Sequence, residues 1–349
     1  MLYNSKRRLQ TCLTVVGFGL IISLTGCQIG GGNQTPVNQV QTPVGPPSVF
    51  DGHFIGLNKT EGQAVAVVID NYFLSRPPSG LNSAAVVYEA PVESNISRFL
   101  AIFSPDNLPN KIGPIRSARP YLAELADEYR AIFIHAGGSP EALTDISNNL
   151  YQINDVNGIT ADGVYFWRDA VRAAPFNLYT SSQNISKFAS DNNIDNTADF
   201  SSWIFKDEPT EKPTLTAKVI SIDNKSAGYF ESITWRYDET KSCYLKYLVN
   251  NDTDQTYVDD QGNQICTKNL ILQYTSVTTI DQIGRKKIDL DNGGTAKVYQ
   301  DGQEIDGTWQ KKNDRTRFYE SSGQEIELLR GNTWVEIMPQ AALNQPANP

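Results

Sequence analysis

The chain has 349 residues, 40% hydrophobic and 20% charged, ordinary proportions for a soluble globular protein and enough length for two cores. Its 30 Lys and Arg against 39 Asp and Glu give a net charge of −9, which disfavours a nucleic-acid partner and repels anionic surfaces on average. Any anionic ligand therefore needs a local basic pocket.

Lys6, Arg7 and Arg8 precede an apolar run from Leu13 to Leu24, closed by Leu24-Thr25-Gly26-Cys27. A basic start, a short apolar stretch and small residues before a cysteine read as a secretory signal, and the run is too short for a comfortable membrane span. The closing tetrad resembles the lipobox of bacterial lipoproteins, which implies cleavage before Cys27 and a lipid anchor on it. Residues 1–27 are thus expected to be signal and anchor point. Losing three basic and no acidic residues leaves 27 Lys and Arg against 39 acidic residues, a net −12. Residues 28–50, uncharged through Ser48 and rich in Gly, Asn, Gln and Pro, read as a tether.

Beyond the tether, Ala64–Ile69 is an apolar run that reads as a buried strand ending at Asp70-Asn71. Ala84–Tyr88 and Ser97–Phe103 read as two more strands, joined by a hairpin. Pro105 to Pro114 is loop. Pro120 suits a first helical turn, and Leu122, Leu125, Ala126 and Tyr129 recur at helical spacing. Ala131–His135 is a strand, after which Ser139 can cap a helix with Pro140 and Glu141 in its first turn. Asn154 to Pro175 reads as an aromatic loop, and Gln183 to Asn192 as a short helix.

Past Pro213 the texture becomes β. Strands are expected at Thr214–Ile222, Ser232–Tyr237, Cys243–Val249, Asn269–Tyr274, Ala296–Tyr299, Thr308–Lys311, Arg317–Tyr319, Glu325–Leu329 and Trp334–Ile337. Asn292-Gly-Gly294, Asp301-Gly302, Asp306-Gly307 and Ser322-Gly323 read as turns between them. The fold class is α/β (α+β): a layered α/β N-terminal domain with a mixed sheet over 51–200, then a mostly antiparallel β domain over 213–340.

Asp70-Asn71, Arg76-Pro77, Ser79-Gly80-Leu81, Val87–Glu93, Ile112–Tyr121 and His135–Ala142 together resemble the YerB-like lipoprotein family. The likeness spans almost all of the mature chain, with Gly307-Thr-Trp309 and Gly331-Asn-Thr-Trp334 marking the β part. It implies an α/β fold and an envelope location, and no reaction, since the family has no established activity. Two positions depart from the family pattern: Pro78 replaces a usual Gln, and Phe176 a usual His.

Of the four cysteines, Cys12 leaves with the signal and Cys27 takes the anchor. Cys243 and Cys266 remain, expected to form a disulfide between neighbouring strands of an exported protein; the alternative is two buried thiols. His53 and His135 are the only histidines, and neither has metal-ligand spacing to a cysteine, so no zinc site and no cofactor is expected.

Polar residues gather near predicted strand ends, where α/β domains favour ligand sites. Arg116 and Arg119 precede a helix N-terminus, already partly positive, so an anion is expected between them. It is either an external phosphate or carboxylate or the protein's own Glu89, Glu93 and Asp70 in an ion-pair network. Asp70, Asn71, Arg76, Arg98, Arg116, Ser117, Arg119, Ser139 and Glu141 are the candidate ligand-binding residues. Glu89, Glu93 and His135 are the catalytic candidates, as an acid/base pair acting on cell-wall carbohydrate. Gly137-Gly138-Ser139-Pro140 lacks the nucleophile-elbow pattern, so Ser139 is expected as a cap. The leading functional expectation is a membrane-anchored envelope protein that binds an anionic or polymeric ligand. The rivals are a hydrolase or transferase and a structural interaction protein.

Overall fold

The structure, a computed structural model, describes residues 45–195, 197–223, 231–250 and 253–344. The anchor cysteine Cys27 and most of the tether lie outside the described residues.

The apolar runs form strands β1 (Val65–Asp70), β2 (Val86–Pro91) and β3 (Ser97–Phe103), each buried along its whole length. Helix α1 (Pro120–Asp127) follows, then strand β4 (Ile132–His135), helix α2 (Pro140–Ser147), strand β5 (Asn154–Asn157) and helix α3 (Ser182–Asp191). Pro120 opens α1 and Arg119 is its N-cap. Ser139 Oγ accepts the Ala142 N–H at 3.3 Å and so caps α2, satisfying one of the donors that every helix start leaves free.

All five strands belong to one ten-stranded sheet. Its spatial order is Arg315–Glu320, Gln303–Lys312, Gly294–Gln300, Asn269–Thr275, Thr333–Pro339, β2, β3, β1, β4, β5. Residues of both 51–200 and 213–340 therefore build a single sheet, joined where β2 pairs in parallel with Thr333–Pro339. β1, β2, β4, β5, Asn269–Thr275 and Thr333–Pro339 run in one direction and β3 runs against it. The parallel strands end along one edge, which carries Asp70, Glu89, His135 and Glu336.

Both faces are covered. On the first, Leu122, Leu125 and Ala126 of α1 pack on Val68, Tyr88, Leu100 and Phe133. On the second, an antiparallel sheet of Val219–Ile222, Ser232–Asp238, Cys243–Asn250 and Thr253–Thr256 covers Phe99, Leu270 and Trp334 with Trp235, Tyr244 and Leu248. This is a mixed α/β fold with a β-rich C-terminal part, as its class predicts. Cys243 and Cys266 form a disulfide, Cα atoms 5.9 Å apart, between the paired strands Cys243–Asn250 and Cys266–Thr267.

Three expectations need correction. Asn154–Asn157 is the outermost parallel strand and not loop; its exposed position on the sheet edge hides the apolar signal. Glu325–Leu329 shrinks to the pair Leu328–Leu329. Asp306-Gly307 is not a turn but lies inside Gln303–Lys312. Gly307 is needed there for close approach, because a Cβ would stand 2.3 Å from the Tyr319 carbonyl oxygen on the next strand.

Candidate functional site

Side chains alternate across a strand, and that period divides the predicted cluster into two networks on opposite faces of the sheet.

On the first face, Asp70 and Arg98 are cross-strand partners of β1 and β3. Arg116 Nε donates to Asp70 Oδ2 at 2.9 Å. Arg98 donates from Nη1 to the Ser117 carbonyl at 3.0 Å and from Nη2 to Glu93 Oε1 at 3.1 Å. Arg119 grips the same carboxylate with Nε, at 3.0 Å from Oε2, and with Nη2 on Oε1. The negative charge expected at the α1 N-terminus is therefore Glu93. Burial alone would raise the Glu93 carboxyl, but the Arg119 hydrogen bonds and the Arg98 charge outweigh it and bring it down to about 2. A carboxyl held ionised so firmly is no general acid.

Three guanidiniums meet two carboxylates here. Arg98 is 5% exposed, and its Nε has no hydrogen-bond partner. Burial and then the neighbouring Arg119 charge push the Arg98 guanidinium below its ordinary value. Arg116 is the outermost of the three, its side chain 23% exposed. Its only side-chain hydrogen bond among the described residues comes from Nε, so the two terminal nitrogens have no partner there. Phe176 lies against it, with the guanidinium carbon 4.9 Å from the ring centroid. Phe176 also stacks on Tyr72 at 5.6 Å.

On the second face, Lys246 has no solvent exposure and binds two carboxylates, Glu89 Oε2 and, at 3.1 Å, Glu336 Oε1. Rings surround its ammonium, with centroids at 4.3 Å for Trp334 and 4.8 Å for Trp235. Both indole N–H groups donate to Glu336 Oε1, at 2.9 and 3.2 Å. Burial, then the Glu89 charge, push the Glu336 carboxyl up to about 7 against the pull of Lys246. Glu89 Oε1 accepts from Asn71 Nδ2 at 2.9 Å and from Ser97 Oγ. Asn71 Oδ1 in turn accepts from Tyr257 at 2.7 Å and from Arg76 Nε at 3.0 Å, and Arg76 pairs with Glu231.

Glu89 and Glu93 therefore do not face each other across a shared groove. Each is closed into the network of its own face, which removes them as an acid/base pair. His135 sits apart, its side chain without exposure. Nδ1 lies 2.6 Å from the Gly137 carbonyl and Nε2 2.6 Å from Asp155 Oδ1. With both ring nitrogens occupied, His135 fixes the Gly137 turn and is not a free base. Ser139 is spent on its cap, and Glu141 lies exposed in the first turn of α2.

Lys246, Glu336 and Asp155 escaped the sequence reading. One signal was present: a lysine within Cys243-Tyr-Leu-Lys-Tyr-Leu-Val249 and a glutamate within Trp334-Val-Glu-Ile337 each share the inward face of a strand with aromatic and apolar residues. Charges there must be paired.

Residues 54–195 match the model of the N-terminal domain of a protein of unknown function, DUF3048, and residues 221–335 match that family's C-terminal domain. "Putative lipoprotein YerB" of Bacillus subtilis (strain 168) is 32% identical over 280 residues, covering 80% of this chain and 82% of that one. The crystal structure of the YerB protein from Bacillus subtilis superposes with a TM-score of 0.75 at 30% identity, covering 85% of this chain and 98% of that one. In sequence, domain content and fold, this chain belongs to the DUF3048 family of YerB-like proteins.

Proposed function

We propose that the protein is a lipid-anchored, extracytoplasmic envelope protein that binds an anionic ligand, free or carried on an envelope polymer, at Arg116. One observation carries this reading. The first-face cluster has one guanidinium more than it has carboxylates, and the outermost guanidinium keeps two terminal nitrogens without a hydrogen-bond partner among the described residues. A planar fork with two free N–H groups fits one edge of a phosphate or carboxylate. Arg98 and Arg119 supply the field behind it, and the half-buried Ser117 lies beside it. The anchor follows from the lipobox-like Leu24–Cys27 and from the name of the Bacillus subtilis relative.

Titration of the wild type and of Arg116→Ala with inorganic phosphate and with fractionated envelope polymers tests the binding. The wild type should bind and the variant should lose at least about tenfold in affinity, the value of one charge-assisted contact. No binding by the wild type, or equal binding by both, contradicts the reading. For the anchor, Cys27→Ala should accumulate as unprocessed, unlabelled precursor; normal processing and lipid labelling would contradict it.

A further inference from the structure

The carboxyl edge of the sheet carries apolar side chains that no core explains. Phe73 is 58% exposed, Leu74 56% and Val171 92%. They are neighbours: Phe73 packs on Tyr72 at 4.4 Å, Tyr72 on Phe176 at 5.6 Å, and Phe176 on Arg116 at 4.9 Å. Arg172 locks the Val171 loop to the other one through the Ser75 and Pro77 carbonyls, at 2.5 and 2.6 Å. Those carbonyls are neutral, and Arg172 makes no ion pair among the described residues; Asp169, the carboxylate that feels its charge, is already paired with Lys111. The result is a patch of exposed apolar side chains on two loops, with Arg116 and Arg172 beside them.

We infer that this edge docks on a membrane surface of phosphate-headed lipids, with Phe73, Leu74 and Val171 entering the headgroup boundary and Arg116 and Arg172 meeting lipid phosphates. The inference rests on the anion site proposed above and names its ligand. Exposed apolar side chains with no core to cover them fit an apolar boundary, and the arginines beside them fit the phosphate layer next to it. Net repulsion from the acidic chain confines the contact to this patch, since it is screened within a Debye length of about 10 Å. Geometry permits the approach. The described chain begins at Gly45 near the opposite edge, where the Gly331 N–H bonds the Asp51 carbonyl ahead of the strand Thr333–Pro339. Strands of this length span about 20 Å, while residues 28–44 reach on the order of 60 Å when extended.

The test uses the chain from residue 28 onward, which keeps every described residue, and vesicles of phosphatidylglycerol or phosphatidylcholine. The wild type should sediment with phosphatidylglycerol vesicles and less with phosphatidylcholine. The triple variant Phe73→Ser, Leu74→Ser, Val171→Ser should lose at least about tenfold in partitioning, as burial of three apolar side chains implies, and keep its affinity for inorganic phosphate. These positions are exposed, so the variant should melt like the wild type. Phosphate binding without sedimentation of the wild type leaves the anion site standing and overturns lipid docking. Equal sedimentation of the triple variant, or capture of a soluble acidic peptide with no vesicle binding, overturns it too. Loss of both phosphate and vesicle binding in the wild type removes the anion site itself.

Discussion

Glu89 and Glu336 occupy paired positions on adjacent parallel strands, and the buried Lys246 ammonium binds both from the sheet that covers them. Like charges side by side in a dry layer repel strongly, and the lysine with two indole N–H groups makes the pairing tenable. This contact ties residues 157 positions apart. It connects the covering sheet to the large one through charge as well as through apolar packing.

Replacing Lys246 with Met should leave Glu89 and Glu336 buried without their cation. The expected loss is about 3–5 kcal/mol, the usual consequence of breaking a buried pair from one side. The triple change Lys246→Met, Glu89→Gln, Glu336→Gln should recover a good part of it. Urea melts of the variants decide the matter; a single variant as stable as wild type would show that the network carries little energy.

Glu336 also makes stability depend on pH. Its carboxyl is raised in the fold to about 7 from an ordinary 4.5, so the folded protein holds this proton more tightly than the unfolded chain. The contribution is complete below pH 4.5 and is lost as pH rises through about 7, at up to about 1.4 kcal/mol per pH unit. Glu336→Gln should flatten that part of the profile. An unchanged slope between pH 4.5 and 7 would refute the assignment to Glu336.

Glu93 behaves in the opposite sense. Its carboxyl is lowered to about 2, so its contribution is present above pH 4.5 and is lost as pH falls through about 2. Glu93→Gln at neutral pH should cost about 3 kcal/mol, because Arg98 and Arg119 are then left buried against each other. Its melting temperature should converge on that of the wild type in strong acid. A constant difference at every pH would contradict the ion-pair account.

Much of the fold was legible in the chain, for reasons that can be named. Val65–Ile69 and Phe99–Phe103 are apolar at consecutive positions because both faces of the sheet are covered. Leu122, Leu125 and Ala126 keep helical spacing because α1 buries one side. Ser139 was readable as a cap from its place before Pro140. The division of the site was less legible. Asp70 and Asn71 are consecutive, and so point to opposite faces, yet grouping residues by strand end merged the two networks. Glu336 and Lys246 became partners only through docking of two sheets, which no local pattern announces. Gly307 was misread because close strand approach and tight turns call for the same residue.

The disulfide gives an independent check on the covering sheet. Cys243 and Cys266 lie 23 positions apart, and closing a loop of that size stabilises by about 3 kcal/mol in the chain-entropy model. Reduction should lower the midpoint of unfolding accordingly without abolishing the fold, since the large sheet does not depend on the bond. Two free thiols in the non-reduced, denatured protein would show that the bond is absent.

Arg116 keeps anion-binding capacity in this account although its Nε is already paired with Asp70. The most direct measurement is a crystal of the protein soaked in selenate and recorded at the selenium edge. An ordered anion is predicted against the Arg116 terminal nitrogens, on the side away from Asp70, and it should vanish in Arg116→Ala crystals. A wild-type structure without that peak, its Arg116 terminal nitrogens folded onto Asp70 or another carboxylate, would contradict the account.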